Sequence, residues 1–245
     1  MYFYFWIMKF QFAHYGHQAL INILLICIIL LGLAHLIQDS WYQRWSIAVI
    51  LWFVCFIIYF FRDPDRLVPQ QEDVIVSPAD GKVTHIETIT EDKYIQSNAI
   101  RVSIFLSPFD VHVNRIPYQG TVEYIHYFPG AHHIALYKKS SSKNEHSEFG
   151  LMTQHGKVMF RQIAGIVARR IVHELSIGDE VQTGDRFGMI LFGSRMDVIV
   201  MPHRQCKVKK GQRVKAGQTI LFVAPTKSIS DIQDYSNMKI KSDCF

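Results

Sequence analysis

Two apolar runs near the N-terminus decide the architecture: Ala19–Ile37, ALINILLICIILLGLAHLI, and Trp45–Phe61, WSIAVILWFVCFIIYFF. The first holds 19 residues without a formal charge. At about 1.5 Å rise per residue it makes a helix of roughly 28 Å, close to a bilayer core. The second holds 17 residues and is short for a span, so it either crosses tilted or dips into the bilayer. Only seven residues, Gln38 to Arg44, separate the two. Trp41, Tyr42 and Trp45 suit the headgroup zone. The pair reads as an antiparallel helical hairpin in a membrane. The uncharged length favours this over a buried hairpin in a soluble core. Two runs, with no A-x-A-like site, do not fit a cleaved signal peptide.

The hairpin returns both flanks to one side. That side holds Lys9, Arg62 and Arg66, against Arg44 alone in the turn, which predicts a cytoplasmic face. The aromatic-rich residues 1–18 suit the interface. Cys27 and Cys55 lie in the apolar runs and only Cys206 and Cys244 lie beyond them, so there is neither a disulfide framework nor a C-x-x-C metal motif.

From Val74 onward the pattern changes to short β-type runs broken by Gly, Pro and Asp. Strands are predicted at Val74–Val76, Lys82–Ile86, Ala99–Leu106, Val122–Tyr127, Lys157–Ile163, Arg170–Leu175, Met189–Phe192, Asp197–Val200 and Thr219–Val223. Ile163–Arg170 also admits a helical turn, and residues 138–149 read as a polar loop. Gly178-x-x-Val181-x-x-Gly184 recurs 33 residues later as Gly211-x-x-Val214-x-x-Gly217. In each copy the glycines permit tight turns and the valine packs inward, as in biotinyl/lipoyl-type hairpins, though without their carrier lysine. The fold expected is a β-rich catalytic domain, a partly closed barrel or sandwich with lipoyl-like hairpins, preceded by the helical membrane hairpin. Its boundaries are 1–66 for the interfacial segment and hairpin, 67–225 for the β-domain and 226–245 for a polar tail.

The net charge is +5, of which +4 falls after residue 61. Its densest patch is Lys207, Lys209, Lys210, Arg213 and Lys215, with no acid among them. Beside a membrane anchor this patch suits anionic lipid rather than nucleic acid, or is simply a solvated hairpin tip.

Three clusters carry chemistry. Ser77-Pro78-Ala79-Asp80-Gly81, taken alone, is a turn whose aspartate caps backbone amides. In Leu106–Pro117, LSPFDVHVNRIP, alternation puts Asp110, His112 and Asn114 on one side and Val111 and Val113 on the other. An exposed His112 moves protons near neutral pH; the alternative is a partly buried histidine with a satisfied hydrogen bond. In Gly188–Val198, GMILFGSRMDV, Gly193-Ser194 between strand-like runs is ordinary turn chemistry, and lacks the second glycine of a hydrolase elbow. The remaining histidines match no zinc spacing, so no metal is expected.

Together these clusters closely resemble the phosphatidylserine decarboxylases in their short form. FFRDPDR (60–66), SPADGKV (77–83), FLSPFDVHVNRIPYQG (105–120), IAGIVARRI (163–171) and RFGMILFGSRMDV (186–198) carry the resemblance in order. It spans roughly Phe60 to Val223, and the preceding hairpin fits it too.

The resemblance implies an inactive precursor. The Ser194 hydroxyl attacks the Gly193 carbonyl, the resulting ester is lost by β-elimination, and position 194 becomes an N-terminal pyruvoyl group. Residues 1–193 and 194–245 then form a heterodimer of the chain's own fragments. No natural side chain provides an electron sink, so a carbonyl cofactor must, here through a Schiff base with the substrate amine. Phosphatidylserine would lose carbon dioxide and give phosphatidylethanolamine. By the same resemblance His112 transfers protons in decarboxylation and Asp80 assists self-cleavage. Arg115, Glu145 and Arg195 are candidate substrate contacts. Arg115 stands where longer relatives carry a second histidine, and an arginine cannot act as a base. His146 stands where short relatives show arginine after Asn144-Glu145. The location implied is a bacterial inner membrane, with the catalytic domain in the cytoplasm. The competing reading is a non-enzymatic membrane adaptor, which predicts an intact chain; another keeps the pyruvoyl chemistry with a different amino acid.

Overall fold

The structure is a computed structural model, described here for residues 12–37, 39–130, 144–165, 171–190 and 194–224. Helix α1 spans His17–His35 and helix α2 spans Ser40–Phe60. The second helix starts earlier than its apolar run because Asp39 caps it, its carboxylate accepting from the Trp41 amide at 2.9 Å. Its 21 residues reach about 31 Å, so Trp41 and Tyr42 join the helix and both helices are long and apolar enough to cross a membrane. Ile21, Leu25, Ile28, Trp45, Val49 and Trp52 stand exposed along them, the arrangement a lipid-facing pair requires.

The two ends of the hairpin meet as expected. The Ala13 amide donates to the Phe61 carbonyl at 2.8 Å. A Cβ on Gly16 would fall 2.2 Å from the Phe61 ring, so only glycine permits this approach.

The rest is β structure. The strands are β1 (Val74–Val76), β2 (Gly81–Glu91), β3 (Ser97–Leu106), β4 (Val113–Arg115), β5 (Gly120–Phe128), β6 (His146–Thr153) and β7 (Gly156–Ala164). They continue as β8 (Ile171–His173), β9 (Glu180–Val181), β10 (Arg186–Ile190), β11 (Ser194–Val200), β12 (Gln205–Cys206), β13 (Arg213–Val214) and β14 (Ile220–Val223). Eight form one curled antiparallel sheet in the order β13-β2-β3-β11-β7-β6-β5-β9. Two three-stranded sheets, β1-β14-β12 and β4-β10-β8, complete the domain. The result is the partly closed barrel expected.

Alternation explains the core. Val102, Ile104 and Leu106 of β3, Met196, Val198 and Val200 of β11, Val158 and Phe160 of β7, and Phe149 and Leu151 of β6 pack inward together. A smaller cluster of Tyr94, Ile95, Ala99, Met159 and Ile199 covers the other face. The glycine repeat is architectural: Gly178, Gly184, Gly211 and Gly217 all have positive φ, while Val181 and Val214 are buried.

One expectation is corrected. Residues 146–149, read as polar loop, begin β6 and are buried. Their polarity is matched across the sheet, where Glu148 meets Arg161 at 3.0 Å and Lys93 at 3.1 Å. Burial alone would raise the Glu148 carboxyl, but the His146 hydrogen bond and the charges of Arg161 and Lys93 outweigh it, holding it at about 2. Residues 138–143 of that loop and 166–170 of the alternative helical turn lie outside the described residues.

The membrane hairpin is fastened to the β-domain at its base. Ala13, Leu20, Ile57, Phe60 and Phe61 pack against Val111, Val113 and Met189 in one apolar cluster. The charged exit RDPDR then straps the chain down. Buried Asp63 accepts from Arg115 and Arg186, Asp65 accepts from Arg186 at 2.8 Å, and Arg66 pairs with Asp80 at 2.8 Å.

Candidate active site

β11 sits in the middle of the large sheet and begins at Ser194. There Ser194 lies opposite Leu106, the last residue of β3, and Ala164, the last of β7. Gly193 lies outside the described residues. Ser194 is fully buried, and its hydroxyl has no hydrogen-bond partner among the described residues. A buried hydroxyl left unpaired costs free energy and calls for an explanation.

The other chemistry-bearing segments converge on this end of the sheet. The Asp80 turn leads into β2, which starts against the end of β3, with Lys82 opposite Phe105. The loop carrying His112 leaves from Leu106. Asn144 and Glu145 are pinned here as well: the Asn144 amide donates to the Ala164 carbonyl at 2.7 Å, and the Ala164 amide donates to the Glu145 carbonyl at 2.9 Å.

His112 is fully buried, so of the two readings left open for it the structure takes the buried, hydrogen-bonded histidine over the exposed one. The Phe60 ring, from the last turn of α2, lies 4.2 Å from its ring centre at a tilt of 36°. Burial holds the imidazole down at about 4, outweighing the hydrogen bond and charge of Asp110 that favour protonation. It is therefore neutral at pH 7. Its Nδ1 lies 2.9 Å from the Asp110 carbonyl, so that nitrogen carries the hydrogen by inference from its partner. Nε2 then presents a lone pair, buried and without a partner. A neutral imidazole with one open acceptor nitrogen is a competent base.

Asp80 has both oxygens engaged, one accepting from the Ala216 amide and one from Arg66, each at 2.8 Å. The Ser77 hydroxyl closes the same turn on the Ala79 carbonyl at 2.6 Å.

Arg115 is buried in a lock. It donates to the Gly184 carbonyl at 2.9 Å, to Asp63 at 3.3 Å and to the Pro64 carbonyl at 3.1 Å. It thus ties β4, the Gly184 turn and the hairpin exit together. Arg195 points to the opposite face of β11 from Ser194. It pairs with Asp197 at 2.7 Å and donates to the Ser103 hydroxyl at 2.8 Å. Arg115 is thus engaged in the scaffold, and Arg195 turns to the face of β11 opposite Ser194.

The sequence placed Asn114 on the face of His112 without giving it a role, and passed over Gln162. The Gln162 amide donates to the Asn114 side-chain oxygen at 2.8 Å, while Asn114 Nδ2 and Gln162 Oε1 have no partner and both residues are fully buried. Gln162 lies two residues before Ala164 on the inward face of β7 and packs on Gly188, where a Cβ would fall 3.2 Å from its amide nitrogen. The pair couples the small sheet after His112 to the large sheet of Ser194. The available signal was a lone amide at an inward position between Phe160 and Ala164. Among the described residues no group of three metal-ligating side chains exists.

Fold and site define a class: a β-domain preceded by an apolar helical hairpin, with a buried serine at the start of its central strand and a buried histidine in the loop that leaves the neighbouring strand. A family model described as phosphatidylserine decarboxylase matches residues 53–222. A phosphatidylserine decarboxylase proenzyme of Salinibacter ruber is 48% identical over 192 residues, 77% of this chain and 85% of its own length. One of Chlorobium phaeobacteroides is 42% identical over 207 residues, 84% of this chain and 96% of its own. One of Amoebophilus asiaticus is 48% identical over 166 residues, covering 67% and 74%. The chain belongs to the phosphatidylserine decarboxylase family, and it is an enzyme of the carboxy-lyase class.

Proposed function

We propose that this chain cleaves itself between Gly193 and Ser194 and, with the pyruvoyl group so formed, converts phosphatidylserine to phosphatidylethanolamine and carbon dioxide. The observation that carries this reading is the Ser194 hydroxyl, fully buried and unpartnered at the end of the central strand. Attack by Oγ on the Gly193 carbonyl replaces the peptide bond by an ester and frees the Ser194 nitrogen. Loss of the Cα proton and breakage of the Cβ–Oγ bond then release the Gly193 carboxylate. The dehydroalanine left behind tautomerises and is hydrolysed with loss of ammonia. A serine hydroxyl is a weak nucleophile and needs a base. His112 Nε2 is a basic lone pair without a partner among the described residues, whereas the Asp80 oxygens are both engaged. Asp80 assists by fixing Arg66 and the Ala216 amide, and with them the turn beside β3.

The pyruvoyl group, once formed, supplies a carbonyl that condenses with the substrate amine and takes up the electron pair as carbon dioxide leaves. Position 194 fits it: apolar Ala164 and Leu106 flank it, and His112, Asn114 and Gln162 leave buried polar atoms without partners among the described residues. His112 Nε2 takes the proton that the substrate ammonium must lose to condense, and the proton that the α-carbon gains as carbon dioxide leaves returns through the same nitrogen. Asn114 and Gln162 orient the headgroup. Glu145, held beside Ala164, is a further candidate contact, while Arg115 and Arg195 act through the scaffold.

Cleavage before Ser194 need not separate the fragments. β11 is paired on both edges, by β3 and β7, β13 pairs with β2 and β14 with β1. Residues 1–193 and 194–245 would remain one interleaved heterodimer. The hairpin would hold it to a bacterial inner membrane with the β-domain on the cytoplasmic side, where Arg62 and Arg66 lie. Ser194→Ala is the test: the variant should run as one uncut chain and release no carbon dioxide from phosphatidylserine. Normal processing in it would remove Ser194 from the mechanism.

A further inference from the structure

The turn before His112 has a feature that the chemistry does not use. Phe109 stands 63% exposed at its tip. The turn is stiff: the Asp110 amide donates to the Ser107 carbonyl at 2.9 Å, and the Asp110 carboxylate accepts from the Ser107 amide at 2.8 Å. Phe109 does not stand apart from the membrane hairpin. Its ring meets Phe56 of α2 edge-on, with centres 6.0 Å apart. Arg62, just past the end of α2, donates to the Phe109 carbonyl at 2.8 Å and to the Tyr59 carbonyl at 2.7 Å, and stacks over the Tyr59 ring. Phe56 in turn stacks on exposed Trp52 with centres 6.1 Å apart, so a line of aromatic rings runs from α2 onto the catalytic domain.

Cations rim the same tip. Arg213 pairs with Asp110 at 3.0 Å and lies opposite exposed Lys82 on β2. Lys207, Lys209, Lys210 and Lys215, on the hairpin that carries Arg213, are all exposed. An aromatic wedge beside a lipid-facing helix, ringed by cations, matches the boundary between acyl chains and anionic headgroups.

We propose that Phe109 and the basic 207–215 hairpin form a second membrane contact, which seats the catalytic domain on an anionic bilayer. The contact rests on the membrane reading of the hairpin. It adds an orientation: with Phe109 at the acyl boundary, His112 lies three residues away, at headgroup level. The wedge therefore adds a second point of contact beside the hairpin and fixes which face of the β-domain meets the lipid. The partner is the anionic bilayer surface rather than a soluble phosphate.

The test uses the full-length chain in vesicles of phosphatidylcholine with or without phosphatidylglycerol. An environment-sensitive fluorophore is placed at Phe109→Cys after the four native cysteines are replaced by serine. In anionic vesicles its emission should shift to the blue and be quenched by a lipid-borne quencher. High salt, or the triple variant Lys207→Glu, Lys209→Glu, Lys210→Glu, should reverse both effects. With about 1 kcal/mol per basic residue near such a surface, the triple variant should lose at least tenfold in kcat/KM on vesicle substrate. It should keep its rate on a short-chain, monomeric phosphatidylserine. A label that stays in water in every vesicle, or a triple variant as active as its parent on anionic vesicles, would overturn the contact. Failure of self-cleavage, scored on the same gels, would instead count against the proposed chemistry, since the label reports depth in a cut or an uncut chain.

Discussion

Replacing Phe60 by alanine should change the pH dependence of the enzyme as well as its stability. Phe60 is fully buried where α2 ends, and its ring covers the His112 imidazole at 4.2 Å. Losing a buried phenyl group costs about 3–5 kcal/mol. The more specific effect is on His112. Its pKa is held down from 6.5 to about 4 chiefly by burial. That displacement corresponds to roughly 3 kcal/mol at full effect. The sign follows from linkage. Between pH 6.5 and about 4 the unfolded chain binds a proton at this site and the folded chain does not. The wild type therefore loses this stability as the pH falls through that window, and the loss is complete near the lower value. With water admitted by Phe60→Ala, the folded pKa should rise towards 6.5 and the window should close. The acid limb of kcat/KM should move upward with it, so that activity at pH 6 falls several-fold more than activity at pH 8. Phe60→Leu, which keeps the site dry, should retain the wild-type profile. The assay is carbon dioxide release across the pH range on processed enzyme, with thermal melts alongside. A uniform loss at every pH in Phe60→Ala, with the acid limb unmoved, would refute the claim that this ring sets the proton affinity of His112.

Two further outcomes follow from buried charges. Arg115→Ala leaves Asp63 with Arg186 alone and strips the Gly184 and Pro64 carbonyls of their donor, so it should cost about 1–3 kcal/mol, read as a lower Tm, with KM for substrate little changed in whatever enzyme folds. A large rise in KM at unchanged Tm would make Arg115 a substrate contact instead. Glu148 has its carboxyl held at about 2 against a usual 4.5, so its stabilisation is present above pH 4.5 and drains away as pH falls through 2. Glu148→Gln should flatten the acid limb of the stability curve; unchanged acid sensitivity would show that the network with Arg161 and Lys93 is not its source.

The parts legible in the sequence were those fixed by local pattern. The uncharged apolar runs gave the helices, and Asp39 extended the second beyond its apolar stretch by capping it. Period-two alternation gave most strands, and glycine spacing gave the turns at Gly178, Gly184, Gly211 and Gly217. What was lost depended on partners distant in the chain. His146–Phe149 looked like loop because the pairing of Glu148 with Lys93 and Arg161 comes from other strands. Whether His112 is exposed or buried stayed open because the ring that covers it, Phe60, lies in the distant helical hairpin. Asn114 was placed on the face of His112, but its bond to Gln162 joins two sheets and leaves no local trace. Ser194, an ordinary turn residue in isolation, proves to be the first residue of the central strand.

The central claim is tested most directly by the intact mass of the purified full-length protein, with sequencing of its chains. Two chains should appear, one ending at Gly193 and one beginning at position 194, the smaller resistant to Edman degradation and carrying a pyruvoyl group in place of serine. A single chain of 245 residues from fully active protein, with Ser194 unmodified, would contradict the account.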